Sequence, residues 1–497
     1  MQRLPRCIKK QDMTNTGDKY FDSEAFHKLL DSYETSINAG EPVFMDADDL
    51  VDIADYYQYT GEKDKAEEAI GLALSLSPGS SSPLTYRIHE ALFQQNDPQK
   101  AWELLEQMID KESPDYIFDR AEILISEGNI EEAEEYLEEN FRDLPFDEQQ
   151  DFIVDAANIF MDWRLPEKVI QWVTRGNPND PNVKNSTEFK EILAKAFVEM
   201  GKYEDGKRIF NELIDKDPFS KKYWNALASA QFMNEDYSGA IQSSEYAIAL
   251  EPEDPEGFIT KANGLLRLNN FEEALKYYQR YLELEPDDEF ALLHEGTCLI
   301  NMLKLQEAIE VLKKAQAITT KDSSYFWDIY QELAFAYAEN KEPDKAMEVM
   351  DQAEAMAYDP VQILLIKGHI LLTANKLDEA RETFNKAIRM SDTRKQTMLR
   401  VIVSFYDNRY VEGAYTLLQK FLTHYDEEEE GKNTEGYAYM ALCCYELKKY
   451  DEFLSYLKKA CEVNPAECRI AVGNMFPEDV KPEDYYQYVK DKLDNKQ

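Results

Sequence analysis

The chain has little of what enzymes are usually built around. Its five histidines (His27, His89, His294, His369 and His424) stand far apart, with no His-Glu-x-x-His pairing. It contains no glycine-rich phosphate loop and no Gly-x-Ser-x-Gly elbow. These absences remove metalloprotease, nucleotide-phosphate and serine-hydrolase chemistry, and no catalytic residue, metal ligand set or cofactor site can be nominated. Acid pairs carry no information, because 98 of the 497 residues are Asp or Glu and a pair at any spacing arises by chance. The six cysteines (Cys7, Cys298, Cys443, Cys444, Cys461 and Cys468) form no Cys-x-x-Cys pair. That argues against a disulfide framework or cysteine zinc site, and points to reduced thiols in a cytoplasmic protein. No stretch approaches the ~20 apolar residues of a membrane span. Arg3, Arg6, Lys9 and Lys10 near the N-terminus are followed by no apolar core, so the start does not read as a signal peptide. Positive charge is scarce: 55 Lys and Arg against 98 acids leave a net charge of −43. A chain so acidic does not suit nucleic acid, whose phosphates need a basic surface, or an anionic membrane. It suits a protein partner, and a basic one would be steered in.

What the chain does have is a pattern. Lys221–Asp254, KKYWNALASAQFMNEDYSGAIQSSEYAIALEPED, reads as two short helices with a turn at Asn234–Asp236 and a stop at Pro252. Trp224, Leu227 and Ala228 share one face of the first helix; Ala240, Ser244 and Ala247 share one face of the second. Large and small residues alternate across the pair, so the two backbones can approach closely. The small residue of the second helix recurs at Gly206, Ala240, Ala274 and Ala308, and again at Ala346, Ala380 and Ala414, each step being 34 residues. Earlier counterparts are Ala66, Ala101, Ala133 and Val169, and Phe453 takes the position at the end. Prolines fall in step at Pro78, Pro145, Pro181, Pro218, Pro252, Pro286 and Pro465.

An aromatic, a Leu-small pair, a later small residue and a terminal proline at this period resemble the tetratricopeptide repeat (TPR), in the multi-repeat form typical of bacterial proteins. The resemblance runs over roughly residues 47–467. It implies an all-α, right-handed α-solenoid of about twelve helix-turn-helix repeats with N- and C-terminal capping helices. Residues 1–19 read as a flexible tail and 20–46 as a capping helix, with apolar spacing at Phe26, Leu29, Leu30, Tyr33 and Ile37. Repeats 1–4 span 47–181 and repeats 5–12 span 182–467. Capping helices follow in 468–497, with Tyr485, Tyr486, Val489 and Leu493 on one face. Three places break the register: the Pro/Asn-rich connector Arg175–Thr187, an insertion at Thr319–Ser324, and His424–Gly436. The acidic run Asp426–Glu430 reads as a solvated loop, and the connector as the candidate hinge.

In the family the first helices line a concave groove that holds an extended peptide or a partner helix. Carried over residue by residue, repeats one to five present an acidic wall of Asp48, Asp55, Glu90, Asp115, Glu122, Asp151, Asp162, Glu188, Glu191 and Glu199, with Lys195 the lone cation. Lys222, Asn225, Ser229, Asn263 and Arg267 then form a polar, partly basic patch. Beyond it the wall turns apolar through Phe290, Leu293, Ile300, Phe335, Leu365, His369, Leu372, Leu399, Val403, Tyr406, Leu442 and Tyr445. Phe335, Tyr406 and Arg267 are the expected anchors, and a buried or hydrogen-bonded role is expected of His369. The Lys/Asn/Arg clamp by which chaperone-type members hold a terminal carboxylate is incomplete, since Glu256, Ile259, Phe290 and Thr297 occupy neighbouring matching positions. The expected function is that of a non-catalytic adaptor, a monomer or homodimer, binding a protein or peptide segment in the groove. Two alternatives stand beside it: recruitment of a basic protein by the acidic half, and a structural or regulatory subunit of a larger complex.

Overall fold

The computed structural model describes residues 20–21, 23–142, 144–145, 148–175, 186–356, 358–428, 432–477 and 480–494. Among these there is no strand. The tail 1–19, with Cys7, and most of the connector at 176–185 lie outside the described residues. The chain divides into two compact units, 1–264 and 265–497.

In the first unit, α1 (Glu24–Ala39) precedes six helix pairs: α2 (Ala47–Tyr59) with α3 (Lys63–Leu76), α4 (Ser81–His89) with α5 (Pro98–Leu105), α6 (Pro114–Ser126) with α7 (Ile130–Arg142), α8 (Gln149–Asp162) with α9 (Pro166–Arg175), α10 (Thr187–Glu199) with α11 (Tyr203–Lys216), and α12 (Lys221–Met233) with α13 (Tyr237–Leu250). Helix α14 (Pro255–Arg267) carries the division and is followed in sequence by α15 (Phe271–Leu284). The second unit continues with α16 (Glu289–Asn301) and α17 (Leu305–Ile318), α18 (Phe326–Glu339) and α19 (Pro343–Ala355), α20 (Pro360–Thr373) and α21 (Leu377–Met390), α22 (Arg394–Asp407) and α23 (Val411–Glu428), and α24 (Tyr437–Glu446) and α25 (Tyr450–Val463). Helices α26 (Pro465–Val472) and α27 (Tyr485–Asp494) close it. The architecture is an all-α repeat solenoid.

The register is written into the backbone of each turn. Gly61, Asn96, Gly128, Arg164, Gly201, Glu235, Asn269, Leu303, Lys341, Asn375, Arg409 and Lys448 all have positive φ. Each stands five residues before the small residue of its repeat, from Ala66 to Phe453. A left-handed residue here lets the next amide bond back to the first helix, as Asp236 N does to Gln231 O and Lys304 N to Leu299 O, both at 2.9 Å. Such a cap satisfies end carbonyls and reverses the chain. All twelve small residues, Phe453 included, are buried. Most of the twelve turn residues are not glycine, so the fold holds them against a left-handed penalty of about 1 kcal/mol. Leu303 is 81% exposed and packs little. Leu303→Asn, which tolerates positive φ, is expected to raise stability by about 0.5–1 kcal/mol in urea unfolding.

Packing sets which face is presented. In the first unit each first helix touches the next first helix, from α2 through α12, and the same holds from α16 through α22 in the second. Among the described residues, second helices of successive repeats make no contact of that extent. Within each unit the first helices therefore crowd to one side, which becomes the inner wall. The ends are covered: Phe26, Leu30 and Tyr33 of α1 join the cluster of Leu50, Ile53 and Tyr57. Ser23 caps α1 by accepting from Phe26 N at 3.1 Å. At the other end Phe476 stacks on Tyr485 at 3.9 Å. The acidic run differs from its loop expectation. Helix α23 extends to Glu428, because Asp426 accepts from the Tyr437 hydroxyl and lies 3.6 Å from Lys459 Nζ; Glu429 and Glu430 lie outside the described residues.

Candidate functional site: an acidic inner wall

Helices stacked at this period bring equivalent positions into register, and the inner wall of the first unit is cross-linked at that spacing. Asp48 accepts from Ser82 Oγ, Asp115 from Ser81 Oγ at 2.5 Å, and Asp119 from Thr85 Oγ1 at 2.6 Å. Small hydroxyls on α4 thus hold carboxylates of its neighbours α2 and α6. The π-turn Glu90–Gln94 that ends α4 follows His89 directly. It leaves His89 Nε2 2.8 Å from Glu122 Oε2 and 3.5 Å from Asp119 Oδ1.

Carboxylates on successive helices oppose one another's ionisation. Burial pushes Asp55 up to about 7, helped by Asp52 and opposed by His89. Burial also pushes Asp155 up to about 7, with Asp151, Glu188 and Asp115 adding like charge from three helices. Glu188 is raised by burial and then by Asp151 and Glu191. Glu199 is raised by burial, with Asp162 adding and Arg164 and Lys195 opposing. The wall is partly countered at its edges. Glu90 pairs with Arg87 at 2.8 Å, and Glu191 pairs with Lys195 at 3.3 Å and Lys222 at 2.5 Å. Lys222, expected in a basic patch, therefore closes the acidic wall.

Other expected residues fall differently. Asn225 is buried, and its amide donates to Asp254 Oδ2 at 2.7 Å and Glu256 Oε2 at 3.2 Å, so it ties α12 to the turn before α14. Asn263 is half-buried and Arg267 exposed. In the second unit Leu293 and Leu365 are core residues. Phe290 is half-buried and meets His294 edge-on at 4.3 Å. Phe335 packs 4.9 Å from His369, whose ring nitrogens lie 3.3 and 3.4 Å from Asn408 Nδ2. Burial pulls His369 down to about 4, leaving it neutral. Leu399 and Tyr406 pack against the core of the last repeats, and Tyr445 stays 44% exposed. Much of the apolar strip is thus core, while the acidic wall gains Asp52, His89 and Asp155, together with Asp119, which is buried like the expected wall residue Glu122. Of these, Asp119 and Asp155 lie four residues after Asp115 and Asp151, the one-turn spacing that puts each pair on a single face.

Fold and wall together define a helix-pair repeat protein with no assembled catalytic constellation among the described residues. Tetratricopeptide-repeat family models match residues 193–255 and 332–394, and residues 50–80, 114–139 and 435–467. A third, for anaphase-promoting complex (cyclosome) subunit 3, matches 233–315. The chain is a multi-repeat tetratricopeptide protein. Among curated relatives it is 26% identical to mouse protein O-mannosyl-transferase TMTC1 over 113 residues, which is 22% of this chain and 12% of that one. It is 23% identical to human TMTC3 over 237 residues, 47% of this chain and 21% of that one. The chain thus spans about a fifth or less of these relatives' length, and the transferase activity in their names is said of those proteins. A solved tetratricopeptide repeat protein from Parabacteroides merdae aligns at 14% identity and a TM-score of 0.38, over 51% of this chain and 97% of that one. No helix among the described residues is long and apolar enough to cross a membrane.

Proposed function

We propose that this protein is a non-catalytic interaction scaffold, and that the acidic inner wall of its first unit holds a Lys/Arg-rich segment of a partner protein. One observation carries the reading: carboxylates gather on α2, α6, α8 and α10, where burial pushes Asp55 and Asp155 up to about 7, with Asp52 adding like charge at the first and Asp151, Glu188 and Asp115 at the second. Holding like charges together costs stability, and a cationic segment laid across them removes that cost. Family membership supports peptide recognition on first helices, and the net charge of −43 supports steering of a basic partner. The described cysteines are free thiols, which supports a reducing compartment such as the cytoplasm. The test is a fluorescence anisotropy titration with a labelled Lys/Arg-rich peptide of about a dozen residues. Binding is expected at low salt, weakening about tenfold or more as salt rises past physiological strength, because exposed charges are screened beyond about 8 Å there. Binding indifferent to salt would overturn the reading.

A further inference from the structure

The acidic wall contains one cluster of a different chemistry. His89 Nε2, Asp119 Oδ1 and Glu122 Oε2 lie within 4.8 Å of one another. His89 comes from the last residue of α4, and Asp119 and Glu122 sit one turn apart on α6. Glu122 is 1% exposed, yet neither of its carboxylate oxygens has a hydrogen-bond donor. The 2.8 Å approach of His89 Nε2 is a charge contact without the alignment of a hydrogen bond. A carboxylate taken out of water with no donor costs several kcal/mol unless a cation neutralises it. Asp119 is also buried, and its second oxygen is held by Thr85 Oγ1 at 2.6 Å.

We infer that His89, Asp119 and Glu122 form a binding site for a divalent transition-metal ion of the zinc class. Bonds of about 2.0–2.2 Å to three ligands in tetrahedral array set the ligand atoms roughly 3.4 Å apart. The 3.5 Å from Nε2 to Oδ1 already matches, and the 2.8 Å from Nε2 to Oε2 opens by about half an ångström. An imidazole among the donors disfavours calcium and magnesium, which take oxygen, and favours zinc or cobalt. Thr85 acts as the outer-shell group that orients a ligating carboxylate. The His89 side chain is 20% exposed, so an ion can reach the site from solvent. The site goes beyond the proposed peptide binding and needs no partner for its test.

The full chain, stripped with chelator, is titrated with zinc alone by calorimetry, and with cobalt while the visible absorption of tetrahedral cobalt is followed. Wild type is expected to bind one equivalent. Glu122→Gln, which keeps the side-chain shape and removes a costly buried charge, is expected to stay folded by circular dichroism and lose the bound ion. Thr85→Val is expected to weaken zinc about 10–100-fold while keeping the stoichiometry. No metal uptake by wild type would overturn the inference. Unchanged uptake by Glu122→Gln would place the ion elsewhere and overturn it equally.

Discussion

Gly368→Ala is expected to lower stability by about 2 kcal/mol, although alanine favours helix over glycine by about 1 kcal/mol. Gly368 is buried on the inward face of α20, and a Cβ there would overlap the Phe384 ring of α21. That ring is itself buried and packs 5.9 Å from Phe405, so it has little room to retreat. Overpacking a filled core costs about 1–3 kcal/mol, and a rigid ring puts this case at the upper end. Gly296 is the same position two repeats earlier, where a Cβ would lie 2.6 Å from Leu312 Cγ and Cδ2. Gly71, on an open face of α3 with nothing within 4 Å of an added Cβ, supplies the opposite sign: Gly71→Ala should stabilise by about 1 kcal/mol. Urea unfolding followed with a probe in each unit checks both. If Gly368→Ala behaves like Gly71→Ala, close approach of paired helices is not what selects glycine.

Asp155→Asn is expected to stabilise the free protein at neutral pH by about 1–2 kcal/mol and to weaken cationic peptide severalfold. The first effect follows from the direction of the shift. The Asp155 carboxyl rises from its ordinary 3.8 to about 7 in the folded chain, through burial first and then Asp151, Glu188 and Asp115. Between those values the folded chain holds a proton that the unfolded chain has lost. Its contribution is therefore fully present below about 4 and is lost as pH rises through about 7. Asp55 has the same sign. The first unit should thus gain stability on going from pH 8 to pH 6, and the gain should shrink in Asp155→Asn. The histidines of the second unit act oppositely. His294 and His369 are pulled down to about 4 by burial, so their contribution is present above their ordinary 6.5 and is lost as pH falls toward 4. Glu332, raised to about 7 by burial, opposes the histidines within the second unit, so thermal unfolding from pH 6 to 8 with a probe in the first unit is the check, and a first unit that weakens on mild acidification would contradict the wall's energetics.

The fold was legible because the repeat repeats. Ala240, Ala274 and Ala308 mark second helices that must approach their partners, and the backbone agrees, with a left-handed residue five positions before each. That turn signal was invisible in sequence, since Leu303, Lys341 and Arg409 occupy a conformation usually given to glycine. The wall was half legible. Spacing placed Asp48, Asp55, Glu122 and Glu188 on first helices and could assign them charge. It could not separate Leu293 and Leu365, which fill the core, from residues left accessible, because inner-wall and core positions on a first helix differ by a single residue step of about 100°. Asn225 looked like a ligand group and proved to be spent on Asp254 and Glu256. In sequence His89 is one of five scattered histidines; its neighbours Asp119 and Glu122 lie some thirty residues on and meet it only through stacking of α4 on α6.

The most direct test of the acidic wall is peptide titration of wild type beside Asp151→Asn/Asp155→Asn/Glu188→Gln. These substitutions keep side-chain shape and remove three ionisable carboxyls from α8 and α10. Wild type should bind the Lys/Arg-rich peptide at low salt and lose at least about tenfold in affinity at 300 mM salt. The triple variant should bind weakly at both, and should be the more stable protein. Equal affinity of the two proteins at low salt would contradict the account.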